Sequence, residues 1–575
     1  VNGTEPPETL VVIVGGDTLA QRVCEELMET RGQSVTVVWH RDDGLRAKVE
    51  RLGARFVRGS PFEEETLHAA EIGSAGSILA LTDDDELNMR VVLLARDLNA
   101  RVRIVLRQFN RTLGRKVERN LPDCSVVSLS AHSAATYASA AVDPNCYFGL
   151  QFPDIDGPLI GFAIHPAGDY GVSSARVAAV ERTRGIRILA VGNDLDVDPE
   201  RVIEKDDLLT VVAQVQPVRR VLRKSGAEER GPFAAVRLLW RRVRDEVASF
   251  DRVVRAALLA AAVVFILGAT YFGITLHLDP LTAVYFVMAT MTTTGYGDIT
   301  PREGDKLGEL MSMGLMLGGI IFSGIFIAIL TARFAEIQFR ETQGLRQVRM
   351  RGHVLVCGSG NVGARVIEFL VRLGVPIVVV ELEPKPEIVA RAKAGEFQLL
   401  TGSAASDTTL DLCNLGEAEA VVALTNSDTL NLEIGLGARA RNETLPIVLR
   451  VSSGAFASSI SAHFQLYRTH GTAALAAPVF AGLSRFGGVR GRVTVAGRAF
   501  SIGEFVEGSD DDPRAVGIPI AVWHDGHVRT IRDFSEARAG DRVLFLYPVW
   551  RYRRDGAPSE RASALRIALP PTIAR

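Results

Sequence analysis

Nine residues, Thr290 to Asp298, read TMTTTGYGD and lie between two long apolar stretches. A row of backbone carbonyls can replace the hydration shell of a dehydrated cation, and aligning such a row needs backbone angles open mainly to glycine. Gly295 and Gly297 provide that freedom on either side of Tyr296. Thr293 can add a hydroxyl oxygen at the inner mouth, Tyr296 can wedge outward to brace an extended strand, and Asp298 closes the run. A cation would then meet oxygens of Thr293, Thr294, Gly295 and Tyr296. A surface Gly-Tyr-Gly turn uses the same residue types, so the flanking elements must decide.

Ala256–Leu276 and Leu310–Ala332 carry no charge over 21 and 23 residues. About 20 helical residues cross a hydrocarbon core of ~30 Å, so each stretch is long enough to span once. Arg237, Arg241, Arg242, Arg244, Arg252 and Arg255 precede the first stretch, and Arg333, Arg340, Arg346, Arg349 and Arg351 follow the second. The segment between holds Arg302 and Lys306 against Asp279, Asp298, Glu303 and Asp305. The excess of basic residues on the inner side of membranes then puts both termini in the cytoplasm. Asp279-Pro280 marks a helix start, and a helix over about Leu281 to Thr292 is too short to cross. It should be re-entrant, its C-terminal end favouring a cation. Backbone of that kind at membrane depth must line a water-filled path. One loop per chain makes one quarter of a ring, which implies a homotetramer. Gly314, Gly318, Gly319 and Gly324 in the second stretch are candidates for a bend or for close helix packing, and the resemblance of this segment to two-helix K⁺ channels implies that Gly319 is the gating hinge.

A second chemistry appears further along. The strand Val354–Val356 leads into Gly358-Ser359-Gly360-Asn361-Val362-Gly363 and a helix through Leu370. Such glycines let a pyrophosphate approach a helix N-terminus. Eighteen residues past Gly363, Glu381 ends the run Ile377–Val380, where an acid would take ribose hydroxyls. Leu382 follows, with no Arg for a 2′-phosphate, so NAD(H) or a simple adenine nucleotide such as ATP or ADP fits better than NADP.

The two flanks repeat one another. Gly15 matches Gly358, Gly59-Ser60 matches Gly402-Ser403, Asn88 matches Asn431, and Ile104–Arg107 recurs as Ile447–Arg450. Each pair stands 343 positions apart, as Gly15 does from Gly358, so this is a domain duplication. β-Branched runs at Leu10–Val14, Val35–Trp39, Ile78–Leu81 and Ile104–Leu106 alternate with helical stretches, the pattern of a parallel α/β sheet. The first copy departs from the fingerprint: Asp17 replaces the second glycine, Ala20 the third, and Trp39 takes the place of Glu381. A carboxylate where pyrophosphate should approach argues for a structural role there.

With 575 residues, a net charge of −2 and a pI of about 6.6, no global field points to nucleic acid. Cys24, Cys124, Cys146, Cys357 and Cys413 are irregularly spaced and odd in number, as expected of reduced thiols. The acidic runs Glu63–Glu65, Asp83–Glu86 and Asp510–Asp512 suit Ca²⁺ by composition but have no ligand spacing. The basic stretch Arg219–Arg255 could also meet anionic lipid headgroups, though a positive linker reads more simply. A membrane oxidoreductase on the same fingerprint would need a hydride acceptor and a proton-handling group; none is evident, so no enzyme activity is expected.

The filter run and spans resemble prokaryotic two-helix K⁺ channels, and both flanks resemble TrkA-type regulatory domains (RCK or KTN domains). The implied architecture is a two-helix membrane pore with a re-entrant loop, flanked by two Rossmann-like α/β domains. In that family a helix crosses between paired domains and a small α/β lobe follows. The resemblance assigns the helices to Ala131–Val142 and Thr472–Leu483. The implied domains are 1–149, 150–218, a basic linker 219–252, the pore 253–333, a linker 334–351, then 352–490, 491–548 and a tail 549–575. Ser403 and Thr425 would also line the nucleotide cleft. The resemblance implies a K⁺-selective, ligand-gated channel of a prokaryotic plasma membrane, with eight regulatory lobes in a tetrameric gating ring. The departure is in order, since one regulatory copy precedes the pore. Gating by Ca²⁺ or another small ligand, or a place in a Trk/Ktr-type uptake system, are the alternatives.

Overall fold

The computed structural model describes the chain apart from residues 1–8, 30–32, 43, 110, 154–156, 171–173, 196, 217–251, 303, 343–346, 453–455, 458, 461–462, 464–467, 486–487, 509–516 and 549–575. The basic linker at 219–251, part of the linker at 334–351, the acidic run Asp510–Asp512 and the tail from 549 therefore lie outside the described residues. The chain forms two compact units: Arg219–Gly344, and Val1–Val218 together with Leu345–Arg575.

In the larger unit the sequence repeat becomes two six-stranded parallel sheets. The first contains Thr9–Val14, Gln33–Trp39, Arg55–Arg58, Ser77–Ala80, Arg103–Arg107 and Cys124–Val127, in the spatial order 3-2-1-4-5-6. The second, from His353–Cys357 to Arg468–Gly471, has the same order. Uninterrupted β-branched runs such as Val11–Val14 and Val354–Val356 are buried, as strands covered on both faces must be. Strand pairing also aligns the two copies beyond the glycine loop. Val14 pairs with Val38 and Cys357 with Val380, so Trp39 and Glu381 follow at equivalent places. Gly59 N–H donates to the Trp39 carbonyl just as Gly402 N–H donates to that of Glu381.

Each sheet is followed by an alanine-rich helix that serves the other copy. Leu129–Val142 places Ala134, Tyr137, Ala138 and Ala141 in one core with Val362, Val366 and Leu370 of the second copy. Thr472–Leu483 places Ala473, Ala476, Ala477 and Phe480 against Leu19, Val23 and Leu27 of the first. Small side chains let helices approach closely enough to share a core. The Tyr137 hydroxyl donates to the His470 carbonyl at 2.8 Å, and Arg103 Nε donates to the Leu483 carbonyl at 2.8 Å. Helices thus stand at both of the places expected, the first starting at Leu129, two residues before Ala131.

Each copy ends in a five-stranded antiparallel sheet, one running from Cys146 to Gln214 and the other from Val489 to Pro548. The first of these sheets opens with Cys146–Gln151, ahead of Leu150. Apolar residues of both sheets, among them Phe162, Ile160, Val493 and Ile502, share one core.

Among its described residues the smaller unit has three helices: Arg252–Thr275, the short Pro280–Met291 and the 37-residue Lys306–Thr342. Among the described residues one helix, over Lys306–Ala328, is long and apolar enough to cross a membrane, by length and composition; the apolar part of the first is the shorter Leu259–Thr275. Ile266, Ile274, Leu310, Leu317 and Ile327 are exposed on these helices. Apolar surface of that extent calls for lipid or a neighbouring chain.

Candidate functional site

The pore loop begins at a capped helix. Asp279 Oδ2 accepts the Thr282 N–H at 3.1 Å, Pro280 occupies the first turn, and the helix runs to Met291. Phe272 of the preceding helix meets Phe286 edge-on at 4.8 Å between ring centroids, and Val287, Met291 and Leu315 complete a small core. This packing holds the short helix against both long ones.

Beyond Met291 the chain is not an extended strand, contrary to expectation. Backbone φ is positive at Thr293 (58°), Gly295 (51°) and Gly297 (74°), alternating with Thr294 and Tyr296, where it is not. Alternating handedness turns successive N–H groups to one side and carbonyls to the other. The amides of Thr293, Thr294 and Gly295 donate back to the carbonyls of Thr290 and Ala289 at the helix end. Among the described residues no backbone amide donates to the carbonyls of Thr293, Thr294, Gly295 or Tyr296. Tyr285 stacks on Tyr296 at 6.3 Å, and its hydroxyl donates to Asp298 Oδ2 at 3.0 Å, tying the far end of the loop to the pore helix.

Gly319 lies at the crossing of the inner helix with this same helix end. A Cβ there would stand 2.1 Å from the Met291 carbonyl oxygen, so close approach demands glycine. The inner helix is continuous through Gly314, Gly318, Gly319 and Gly324.

The nucleotide cleft candidate sits at the end of the second parallel sheet. Gly358 has φ 98°, a value that L side chains rarely adopt, and a Cβ at Gly363 would stand 2.0 Å from the Gly358 carbonyl oxygen. A Cβ at Gly360 would meet nothing within 4 Å. Its glycine is therefore not required by packing; it leaves open space before the helix Asn361–Arg372, whose N-terminus no side chain caps. Val362 is buried in the shared core, so it positions the helix and does not face the cleft. Glu381 Oε2 accepts the Ser359 N–H at 2.5 Å and its hydroxyl at 2.8 Å, while Oε1 accepts the Leu382 N–H at 2.9 Å. The Leu382 side chain is exposed beside it.

Thr425 stands beside the glycine loop, its amide 3.1 Å from where a Gly358 Cβ would be. Asn431 fixes it there, accepting from the Thr425 amide and hydroxyl and donating to the carbonyls of Thr425 and Arg450. Asn88 does the same for Thr82 and Arg107 in the first copy. Ser403 follows Gly402 at the adjacent strand end, and its carbonyl accepts the Ser406 N–H at 3.1 Å. Asn431 and Arg450 carry the repeat in the sequence, and their identity in both copies is the only signal there of these hydrogen bonds. An open glycine loop, an uncapped helix and a strand-end acid fit a nucleotide phosphate and ribose.

In the first copy those features are filled. Asp17 caps the helix Thr18–Met28, accepting the Ala20 N–H at 3.0 Å, and pairs with Arg107 at 2.5 Å. The Trp39 ring lies over the loop, 2.4 Å from where a Gly16 Cβ would stand. It is a packed aromatic resting on glycine.

Residues 11–126 and 354–463 match the TrkA-N domain family, and residues 254–336 match the Ion channel family. The chain carries two TrkA-N domains around one ion-channel domain. It is similar to Potassium channel protein 1 of Methanocaldococcus jannaschii, 27% identical over 177 residues, which are 30% of this chain and 53% of that one. It is also similar to the calcium-gated potassium channel TvoK of Thermoplasma volcanium, 33% identical over 87 residues, 15% of this chain and 24% of that one. The chain spans about half or less of the length of the curated relatives it matches. The solved GsuK channel bound to NAD aligns over 95% of this chain and 78% of that one, with 15% identity and a TM-score of 0.49. An ion-channel domain makes this a membrane protein.

Other candidate groups have structural partners. Asp84 caps the helix Asp85–Leu98, and Asp85 accepts the Phe109 N–H, so these two carboxylates of the acidic run are spent on the fold. Among the described residues no three His, Cys, Asp or Glu side chains group as a metal site. All five cysteines are free. Burial pushes the thiols of Cys24, Cys124 and Cys413 up to about 12, so they are protonated and unreactive at neutral pH.

Proposed function

We propose that the chain is the subunit of a K⁺-selective homotetrameric channel gated by a nucleotide at its second TrkA-N domain. The observation that carries this is the filter loop, whose amides turn back to the pore helix and whose carbonyls do not. The potassium-channel relatives support K⁺ as the permeant ion, coordinated by Thr293, Thr294, Gly295 and Tyr296. Both termini lie in the cytoplasm in this reading, where the two TrkA-N domains of each of four chains would supply eight lobes to a gating ring.

Gly358, Ser359, Gly360 and the amides opening the helix at Asn361 would hold the nucleotide phosphates, and Glu381 would accept its ribose hydroxyls. Thr425 and Ser403 would wall the cleft. Binding draws Glu381 away from the Ser359 amide, so the loop changes partners when the site fills. NAD(H), ATP or ADP fits the cleft, and residues 332–351 carry the change to the inner helix. Moving a two-state pore from 1:99 to 99:1 takes about 5.5 kcal/mol. Four sites coupled at about 1.4 kcal/mol each suffice, within the usual range.

The test is purified protein in a planar bilayer under a K⁺/Na⁺ gradient, with NAD⁺, NADH, ATP or ADP on the cytoplasmic face. The expected result is a K⁺-selective current whose open probability follows one nucleotide, and loses that response in Glu381→Ala. A K⁺ current indifferent to all four would remove nucleotide gating and favour the Ca²⁺ reading suggested by the name of the Thermoplasma relative. Absence of K⁺ current would overturn the pore.

A further inference from the structure

The two copies hold one arginine at the same place and give it different partners. Arg107 Nη1 donates to the Leu81 carbonyl at 2.8 Å and Arg450 Nη1 to the Leu424 carbonyl at 3.4 Å, equivalent atoms of the duplicated sheet. Both arginines also have their own carbonyl held by the same asparagine, Asn88 or Asn431. Arg107 then reaches across the glycine loop to Asp17, which stands at the position of Gly360. The guanidinium is buried, with 7% of its side chain exposed, so its carboxylate partner matters. Arg450 has no carboxylate partner among the described residues; it bonds neutral Asn426 Oδ1 at 2.9 Å and Thr472 Oγ1 at 3.2 Å.

We propose that Asp17 is a built-in anion that closes the first copy to phosphate, and that Arg450 is the phosphate-recognising side chain of the second. The Asp17 carboxylate does what a nucleotide phosphate would do: it accepts from a helix N-terminal amide and neutralises the strand-end arginine. In the second copy the same helix end is uncapped, the space before Gly360 is open, and the arginine holds the Leu424 carbonyl as Arg107 holds that of Leu81. The geometry of the first copy measures that reach, since Arg107 spans it while still holding Leu81. The assignment of Arg450 rests on the nucleotide reading of the second copy; that of Asp17 does not.

The experiment is calorimetric titration of the full chain in detergent with ADP, adenosine and inorganic pyrophosphate. Wild type is expected to take one ADP per chain. Arg450→Gln should weaken ADP about 10- to 100-fold, the usual worth of a charge-assisted hydrogen bond, and leave adenosine within about twofold. Asp17→Ser retains a helix cap while vacating the carboxylate. It should raise pyrophosphate binding from one equivalent per chain to two, and adding Arg107→Gln should return it to one. A single melting transition near that of wild type shows that each variant is folded.

If Asp17→Ser stays at one equivalent, the built-in anion is wrong. If Arg450→Gln weakens adenosine as much as ADP, or weakens neither, the phosphate role is wrong while one ADP per wild-type chain keeps the nucleotide reading. If wild type takes no ADP but Asp17→Ser gains a pyrophosphate site, the nucleotide reading and Arg450 fail and the role of Asp17 stands. If neither protein binds either ligand, both halves fail.

Discussion

The two TrkA-N domains share strand order, a threonine–asparagine clasp and an arginine, yet one glycine loop is open and the other is filled. Three positions separate them: Asp17 against Gly360, Ala20 against Gly363 and Trp39 against Glu381. The scaffold survives in both because strands and clasp are made by residues outside the loop. A fold of this kind thus says little about occupancy, which a few loop side chains decide.

The sharpest way to break the comparison is to exchange those positions. Gly363→Ala forces a methyl group into the Gly358 carbonyl and should cost about 3 kcal/mol in denaturant unfolding, with nucleotide binding lost. Ala20→Gly at the matching place should cost only about 1 kcal/mol, the helix propensity difference. Equal costs would mean that the two loops are built alike.

Next in size, Glu381→Ala should weaken nucleotide binding about 10- to 100-fold in titration, whereas Trp39→Ala should leave it unchanged and lower stability by about 2 kcal/mol. Loss of nucleotide affinity in Trp39→Ala would make the first copy a ligand site after all.

The copies should also respond to pH with opposite sign. Burial pulls the pKa of His165 down, but Asp143 at 2.9 Å and Asp169 at 3.6 Å outweigh it and the net shift is upward. Its stabilisation is complete below the ordinary histidine value of about 6.5 and is lost as pH rises through the raised one. Burial lowers the pKa of His353, whose ring bonds the Cys413 carbonyl. Its contribution is present above about 6.5 and lost as pH falls through the lowered value. Melting temperatures of Asp143→Asn and His353→Gln across that range should therefore differ from wild type at opposite ends. Smallest of all, Tyr137→Phe removes the bond to the His470 carbonyl and should cost about 1 kcal/mol in chemical unfolding.

Much of this was legible in the residues. Asp279-Pro280 marks the pore helix start because cap and first-turn proline act locally. The parallel strands follow from unbroken β-branched runs, and the glycine fingerprint from its spacing. What needed coordinates depends on distance along the chain. Asp17 and Arg107 are far apart in sequence, and nothing local to Asp17 names its partner. Alanines in Leu129–Val142 carry no amphipathic pattern, so their burial in the other copy has no periodic signature. Gly319 reads equally as hinge or contact until the Met291 carbonyl is placed beside it. The alternating backbone after Met291 depends on amide bonds to the preceding helix, which residue types alone do not specify.

Because each crossover helix completes the core of the other copy, the unlike pair is made within a single chain. Neither copy can find an identical mate without exposing the alanine-lined groove that its sibling fills. Covalent linkage also keeps each partner at high effective concentration. Any assembly of this chain holds open and filled loops in equal number, so its rotational symmetry cannot exceed the number of chains.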